Sequence, residues 1–157
     1  KELDRGSWRA MDELYRAGRV RAIGVSNFLP HHLENLLEVC TVPPMVDQIE
    51  FHPGYVQWET VEFCRASQIL VEAWSPLGRQ RLADDPLLAE LAGKYGVSQA
   101  QICLRFALDC GVVPLPKSAD AGRMRQNLAL DFALEAEDLE RLRTMPQTGW
   151  SGLHPDK

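Results

Sequence analysis

Apolar residues recur along this chain with two different spacings, and the two spacings alternate. Short, nearly continuous apolar runs are typical of buried strands, whereas apolar residues spaced three or four apart mark one face of a helix. Four strands are predicted, at residues 21–25, 46–51, 69–74 and 112–115. Because strands that alternate with helices form βαβ units, the pattern predicts an α/β fold with a parallel sheet.

Capping and turn residues set the ends of the predicted helices. Ser7 is placed to cap the first helix and Gly18 to end it, and Pro30 opens the second helix. Further helices are predicted at residues 59–67, at 86–95, after Ser98, at 120–127 and at 135–145. We expect residues 1–157 to form a single domain and their Pro-, Gly- and Ser-rich end, residues 146–157, to be a C-terminal loop.

Charge and composition narrow the class of protein. A net charge of −5 with scattered cations argues against a surface for nucleic acid or an anionic membrane. No run reaches the ~18 apolar residues of a membrane span, and residues 1–5 do not resemble a signal peptide. The four cysteines show no C-x-x-C spacing, and the four histidines form no set of metal ligands. We therefore expect a cytoplasmic, metal-free protein with no nucleic-acid or membrane partner.

Polar residues gather where each predicted strand ends. In parallel α/β folds the ligand site lies at the carboxyl ends of the strands, in an open doubly wound sheet or in a closed (β/α)8 barrel. No G-x-G-x-x-G follows a strand, which favours the barrel, although four strands make only half of one. After the fourth strand, Lys117 and Arg123 flank the start of a predicted helix. A helix N-terminus with two nearby cations favours an anion.

Four sequence blocks at these strand ends resemble those of the aldo-keto reductase family, in that family's order and with its approximate spacing. The blocks are AIGVSNF at residues 22–28, QIEFHP at 48–53, EAWSPLG at 72–78 and PKS at 116–118. The resemblance implies a TIM-type (β/α)8 barrel that reduces carbonyl groups with NADPH. This chain resembles the C-terminal half of that barrel, strands five to eight with their helices.

The resemblance also implies roles for individual residues at the nicotinamide end of the cofactor. Ser26, Asn27 and Gln48 match positions that hydrogen-bond the carboxamide, which needs both donors and acceptors. Trp74 matches the aromatic position that stacks on the nicotinamide ring, where the family's usual residue is tyrosine. Three residues match the loop that lies along the pyrophosphate: Ser75, Leu77 and Gly78.

Matching residues at the adenosine end make NADPH the expected cofactor rather than NADH. Three of them match the residues that hold the adenosine 2′-phosphate: Lys117, Ser118 and Arg123. Asn127 matches a position that contacts adenine. Two residues depart from the family's pattern. Asp120 stands where a hydroxyl is frequent, so its carboxylate is expected to repel the phosphate, and Gln126 replaces a common acidic contact to adenine.

The family's catalytic tetrad of Asp, Tyr, Lys and His has no matching positions in this sequence, so no catalytic residue is predicted. We expect a truncated NADPH-dependent reductase of small aldehydes and ketones, inactive as an isolated chain. The alternative is a catalytically inactive NADP(H)-binding or self-associating half-barrel module. Because half a barrel exposes sheet edges, the expected partners besides a small carbonyl substrate are a second copy in a homodimer or a complementing N-terminal half.

Overall fold

The computed structural model describes residues 2–156, in which helices and strands alternate. The strands are β1 (Gly24–Ser26), β2 (Val46–Glu50), β3 (Leu70–Trp74) and β4 (Val113–Pro114). The helices are α1 (Glu2–Arg16), α2 (Pro30–Leu37), α3 (Trp58–Ala66), α4 (Pro86–Tyr95), α5 (Gln99–Asp109), α6 (Ala121–Leu128) and α7 (Ala136–Arg143), with a 3₁₀ turn at Gly78–Gln80. Within residues 2–156, no helix combines the length and the apolar character needed to cross a membrane.

The strands form one sheet in the order β1-β2-β3-β4. β1 runs parallel to β2, with Gly24 opposite Val46 and Ser26 opposite Gln48. β3 runs parallel to β4, with Glu72 opposite Val113. Because each of these parallel pairs is joined through helices, the structure confirms the predicted α/β fold with a parallel sheet.

The chain divides into two compact units. The first unit comprises Lys1–Ile49, Trp58–Val71 and Pro155–Lys157, and the second comprises Glu50–Gln57 and Glu72–His154. In the first unit, Trp8 of α1 is buried with Ile23 and Leu36. The Trp8 indole N–H donates to the carbonyl of Val42 at 2.9 Å, so burial of this large ring leaves no unpaired donor.

Gly24 allows β1 and β2 to approach each other closely. A Cβ at this position would lie 2.6 Å from the carbonyl oxygen of Val46 and 3.0 Å from its Cβ. Contacts this short force the backbone to shift, so a residue without a side chain is required here. The close approach occurs where Gly24 and Val46 lie opposite each other in the strand pair of the first unit.

The second unit packs α4 and α5 over its own apolar core. Phe51 and Phe106 stack with their ring centroids 5.7 Å apart. The largest fully buried aliphatic residues of this unit are Leu88, Leu91, Ile102, Leu104 and Leu142. Both helices begin at the predicted places, because the carboxylate of Asp85 caps α4 and Ser98 forms a capping box with Gln101 at the start of α5.

The chain after α7 is held to the second unit by polar contacts rather than by secondary structure. Residues 146–156 contain turns and bends but neither helix nor strand. The Ser151 hydroxyl donates to Oε2 of the buried Glu50 at 2.6 Å, and the Ser151 backbone N–H donates to Oε1 at 3.0 Å. The rings of Tyr55 and Trp150 stack with their centroids 5.8 Å apart. These contacts fix the tail's position in the second unit.

The predicted start of the first helix was wrong. α1 begins at Glu2, so Ser7 lies inside the helix and does not cap it. The Arg5 guanidinium donates to the carbonyl of Asn35 at 3.3 Å and lies 3.6 Å from the carboxylate of Glu38. These contacts with α2 and its C-terminal end support the additional helical turn.

The predicted start of the first strand was also wrong. β1 begins at Gly24 rather than at residue 21. The parallel register continued towards the N-terminus would place residues 21 and 22 opposite Pro43 and Pro44. Proline has no backbone N–H to donate, so the ladder has no partner for those residues.

Candidate functional site

The three residues predicted to bind the nicotinamide carboxamide lie side by side in the first unit. Ser26 ends β1 and is paired with Gln48 of β2. The Ser26 hydroxyl donates to the Gln48 carbonyl at 2.9 Å, and the Asn27 side-chain amide donates to the Ser26 hydroxyl at 3.2 Å. Asn27 has a φ of 57°, a conformation that asparagine tolerates better than most residues. The structure therefore brings the Ser26 hydroxyl and the Asn27 amide together where β1 ends, beside the backbone carbonyl of Gln48.

A buried carboxylate, Asp47, lies next to this group. Its side chain is 0% exposed, and its Oδ1 accepts the backbone N–H of Phe28 at 3.4 Å. Burial raises the pKa of Asp47 from 3.8 to about 7, and hydrogen bonds from Phe28 and Cys64 offset only part of that rise. Burial also raises the pKa of the Cys64 thiol to about 12, so the thiol stays protonated and donates to Asp47 Oδ2 at 3.9 Å. Through its hydrogen bond from Phe28, Asp47 thus fixes the backbone that follows Asn27.

His31, His32 and Asp156 form a cluster of possible metal ligands, which the sequence analysis did not anticipate. The Nε2 atoms of both histidines lie 3.0 Å from Asp156 Oδ1. The backbone N–H of Leu29 donates to His32 Nδ1, however, so neutral His32 carries its proton on Nε2. A protonated nitrogen donates to Asp156 and cannot bind a metal ion. The arrangement is therefore that of a hydrogen-bonded clasp.

The loop after β3 carries the residues predicted to meet the nicotinamide ring and the pyrophosphate. Trp74 ends β3, and Ser75 follows it with a φ of 50°. Gly78 has a φ of 60°, and a Cβ there would meet the Leu82 side chain at 2.7 Å. Arg79 Nε donates to the Ser75 hydroxyl at 2.9 Å, and Arg79 Cζ lies 5.1 Å from the centroid of the Trp74 ring. The loop therefore folds back over the end of β3.

A cavity of about 600 Å³ in the second unit brings together most of the predicted residues of that unit. Six of them line it: Ser75, Leu77, Lys117, Ser118, Arg123 and Asn127. Trp74 and Gly78 are not among the lining residues. The described lining residues include three cations, Arg79, Lys117 and Arg123, and no carboxylate. A cavity of this size and charge suits a small anionic ligand.

The start of α6 explains why an aspartate stands beside the cations. Asp120 is the N-cap residue, and its Oδ1 accepts the backbone N–H of Arg123 at 2.7 Å. The Ser118 hydroxyl in turn accepts the backbone N–H of Asp120 at 3.1 Å. The Asp120 carboxylate is engaged in capping the helix and does not line the cavity. The repulsion of a phosphate by Asp120 stays a prediction, because a carboxylate that caps a helix keeps its negative charge.

Two residues near the site were missed in the sequence analysis. Arg79 directly follows the predicted pyrophosphate loop, so a cation adjacent to Gly78 was the signal for it. In the predicted strand 46–51, Asp47 shares one face with Ile49 and Phe51, because side chains alternate along a strand. A carboxylate on an otherwise apolar face was the signal for its burial.

Comparison with known proteins identifies relatives over nearly the whole chain. The aldo/keto reductase family model matches residues 5–145. The glyoxal reductase of Bacillus subtilis is 42% identical over 158 residues, which cover 100% of this chain and 57% of that protein. This chain spans about half the length of the curated relatives it matches.

Solved structures give the same result. The silkworm aldo-keto reductase AKR2E5, crystallised in complex with NADPH, is 32% identical with a TM-score of 0.86 over 94% of this chain and 49% of that chain. A variant of the protein Gox0644 in complex with NADPH is 37% identical with a TM-score of 0.90 over 96% of this chain and 56% of that chain. Because the family model and these relatives agree over most of the sequence, this chain belongs to the aldo/keto reductase family.

Proposed function

We propose that this chain is the cofactor-binding part of an NADPH-dependent aldo-keto reductase that converts small aldehydes and ketones to alcohols. In this proposal the 157 residues form one domain, the C-terminal half of a TIM-type (β/α)8 barrel, with residues 146–157 as its C-terminal loop. The observation that carries the proposal is the cationic cavity of the second unit, which is lined by residues from both the β3 loop and the start of α6.

The cavity fits the adenosine 2′-phosphate end of NADPH. Its volume of about 600 Å³ lies within the usual range of small-molecule sites. Lys117 and Arg123 supply charge to the phosphate, and Ser118 supplies a hydroxyl. The N-terminus of α6 adds a partial positive charge at the same place. Asn127 and Gln126 line the cavity one turn further along α6, where their amides can contact adenine.

The residues proposed for the nicotinamide are Ser26, Asn27 and Gln48 of the first unit and Trp74 of the second unit. Ser26, Asn27 and Gln48 offer hydroxyl and amide groups that can both donate to and accept from a carboxamide. Trp74 offers an aromatic face for the nicotinamide ring. When bound, NADPH supplies the hydride that reduces a carbonyl carbon. The proposed role of these residues is to hold the nicotinamide ring so that one of its two faces is turned towards the carbonyl carbon.

The substrate class rests on the relatives. The Bacillus subtilis protein that is 42% identical is a glyoxal reductase, and an enzyme from Salmonella typhimurium that is 38% identical is a methylglyoxal reductase. Both names describe the reduction of small dicarbonyl compounds. Small aldehydes and ketones are therefore the first substrates to test, in a reaction that also needs a proton donor for the carbonyl oxygen.

Arg123→Ala tests the cofactor assignment. Charge-assisted hydrogen bonds contribute about 1.5–3 kcal/mol, so this variant should bind NADPH roughly tenfold to a hundredfold more weakly and NADH almost unchanged. Arg125→Ala is the matched control, because Arg125 lies on the same helix and does not line the cavity. Fluorescence titration of both cofactors measures the effect. Equal weakening of NADPH and NADH binding by Arg123→Ala contradicts the 2′-phosphate assignment.

Turnover by the 157 residues alone tests the second part of the proposal. The family's catalytic tetrad has no matching positions in this sequence, so we propose that these residues bind NADPH without reducing a carbonyl compound. Activity would then require a complementing N-terminal half that supplies the tetrad. NADPH oxidation with glyoxal, methylglyoxal and a panel of aldehydes measures it, and a rate well above that of the solution reaction overturns this part.

A further inference from the structure

The diphosphate of a dinucleotide carries two negative charges for which the proposed site so far offers no cation. The residues predicted to lie along it, Ser75, Leu77 and Gly78, can supply only neutral donors. Lys117 and Arg123 are assigned to the separate phosphate on the 2′-oxygen of the adenosine ribose. A diphosphate in a protein site is normally met by a cation or a helix N-terminus as well as by neutral groups. The charge balance of the site is therefore incomplete.

Arg79 lies where a cation for the diphosphate is needed. It follows Gly78 directly and lines the cavity together with Ser75 and Leu77. Its Nε donates to the Ser75 hydroxyl at 2.9 Å, which ties the guanidinium to the predicted pyrophosphate loop. Within the described part of the chain, its two terminal nitrogens donate to no protein acceptor. These nitrogens are available to a ligand in the cavity.

The backbone conformation at Arg79 is energetically unfavourable. Its φ is 50°, and that of Gln80 is 67°, both in the left-handed region that non-glycine residues rarely adopt. The guanidinium is positioned further by the Trp74 ring, whose centroid lies 5.1 Å from Cζ. Arg79 is exposed, and a hydrogen bond and an aromatic face preorganise its side chain.

We propose that Arg79 is the diphosphate-binding cation of this site and that it recognises NADPH and NADH equally. This inference rests on the proposed function. The guanidinium is planar and presents parallel donors, a geometry that matches two oxygens of a phosphate group. Ser75, which already accepts from Arg79 Nε, keeps its own O–H available to donate to the same diphosphate. Arg79 therefore sets affinity for the dinucleotide, and Arg123 sets the preference for the phosphorylated one.

Four probes separate the two cations. Adenosine diphosphate ribose contains the diphosphate and lacks the 2′-phosphate, whereas adenosine 2′-monophosphate contains the 2′-phosphate and lacks the diphosphate. Arg79→Ala should weaken binding of NADPH, NADH and adenosine diphosphate ribose by about tenfold to a hundredfold, and should leave adenosine 2′-monophosphate binding unchanged. Arg123→Ala should weaken binding of adenosine 2′-monophosphate and leave binding of adenosine diphosphate ribose unchanged. Isothermal titration calorimetry measures all four ligands on the whole 157-residue chain.

Control variants distinguish the loss of the Arg79 charge from a disturbance of the loop that follows β3. Arg79→Gln retains the length and polarity of the side chain without its charge, so it should bind the three diphosphate ligands as weakly as Arg79→Ala does. Arg125→Ala removes one cation from the same unit and should bind all four probes like the wild type. Circular dichroism spectra that match the wild type establish that each variant is folded.

The outcomes distinguish this inference from the proposed function. Loss of adenosine 2′-monophosphate binding in Arg79→Ala, wild-type binding of all four probes by that variant, or wild-type binding by Arg79→Gln overturns the role of Arg79 while leaving the NADPH site in place. Failure of the wild-type chain to bind NADPH and both fragments overturns the proposed function, and the role of Arg79 with it. Parallel weakening of the three diphosphate ligands supports the inference.

Discussion

Replacing Asp47 with asparagine should remove a pH dependence from the stability of this protein. The Asp47 carboxyl is buried, and its pKa rises from 3.8 in the unfolded chain to about 7 in the folded one. The folded state therefore binds this proton more tightly than the unfolded state does. As the pH rises through the interval from about 4 to 7, the unfolded chain releases the proton first, and the free energy of unfolding falls.

The expected size of the effect follows from the difference between the two pKa values. A shift of about three units corresponds to about 4 kcal/mol. Below about pH 4 the carboxyl is protonated in both states and makes no contribution to the difference. Above about pH 7 the carboxyl is ionised in both states, and the free energy of unfolding has fallen by the full amount. Asparagine keeps an oxygen that can accept the Phe28 N–H and has no proton to lose in this range.

Urea denaturation at several pH values between 4 and 8, followed by circular dichroism, measures the effect. The free energy of unfolding of Asp47→Asn minus that of the wild type should grow by about 4 kcal/mol across this range. Asp131→Asn replaces an exposed aspartate and is the matched control. A difference that stays constant with pH, or that shrinks as pH rises, refutes the argument that burial dominates the titration of Asp47.

Two further pairs of substitutions test the close contact at Gly24 and the buried carboxylate of Asp138. Gly24→Ala should lower the free energy of unfolding by about 1–3 kcal/mol, because its Cβ would lie 2.6 Å from the Val46 carbonyl oxygen. Gly93→Ala, where a Cβ meets nothing within 4 Å, should instead raise it by about 0.5–1 kcal/mol in the same urea measurement. Asp138→Ala should cost about 3 kcal/mol, since this buried carboxylate accepts from Lys94 at 2.6 Å and Tyr95 at 2.7 Å. The bond from Lys94 lowers the pKa of Asp138, so its contribution is present at neutral pH and lost in acid. A similar cost for Glu140→Ala, whose partner Arg143 lies 3.7 Å away in solvent, would contradict the role of burial.

The alternation of strands and helices was readable from the sequence because its signals are local. Asp85, Ser98 and Gly96 cap or end helices through groups within a few residues of themselves, and α4 lies at its predicted bounds. The start of β1 was not readable. It depends on Pro43 and Pro44, which lie across the sheet and some twenty residues further along the chain. A local pattern of apolar residues contains no information about the partner strand.

In the candidate site, too, some features could be predicted from the sequence, and those that depend on distant residues or unusual backbone conformations could not. The roles of Ser26, Asn27 and Gln48 were implied by the resemblance to the aldo-keto reductase family, and the structure brings the three residues together through the register of β1 and β2. The clasp of His31 and His32 with Asp156 could not be predicted, because the aspartate lies 125 residues away from His31 in sequence. The place of Arg79 over Trp74 depends on a backbone with positive φ at non-glycine residues, which propensities do not anticipate.

The bond between Ser151 and Glu50 has a consequence for the order in which this chain folds. It joins residues 101 positions apart. Closing a flexible loop of that length costs about 4 kcal/mol in chain entropy, which is comparable to what the two hydrogen bonds from Ser151 to the Glu50 carboxylate return. The two bonds alone therefore gain little in an otherwise unfolded chain, and they become favourable once the helices between the two residues have condensed and shortened the loop. We expect attachment of the tail to be a late event in folding that follows assembly of the second unit.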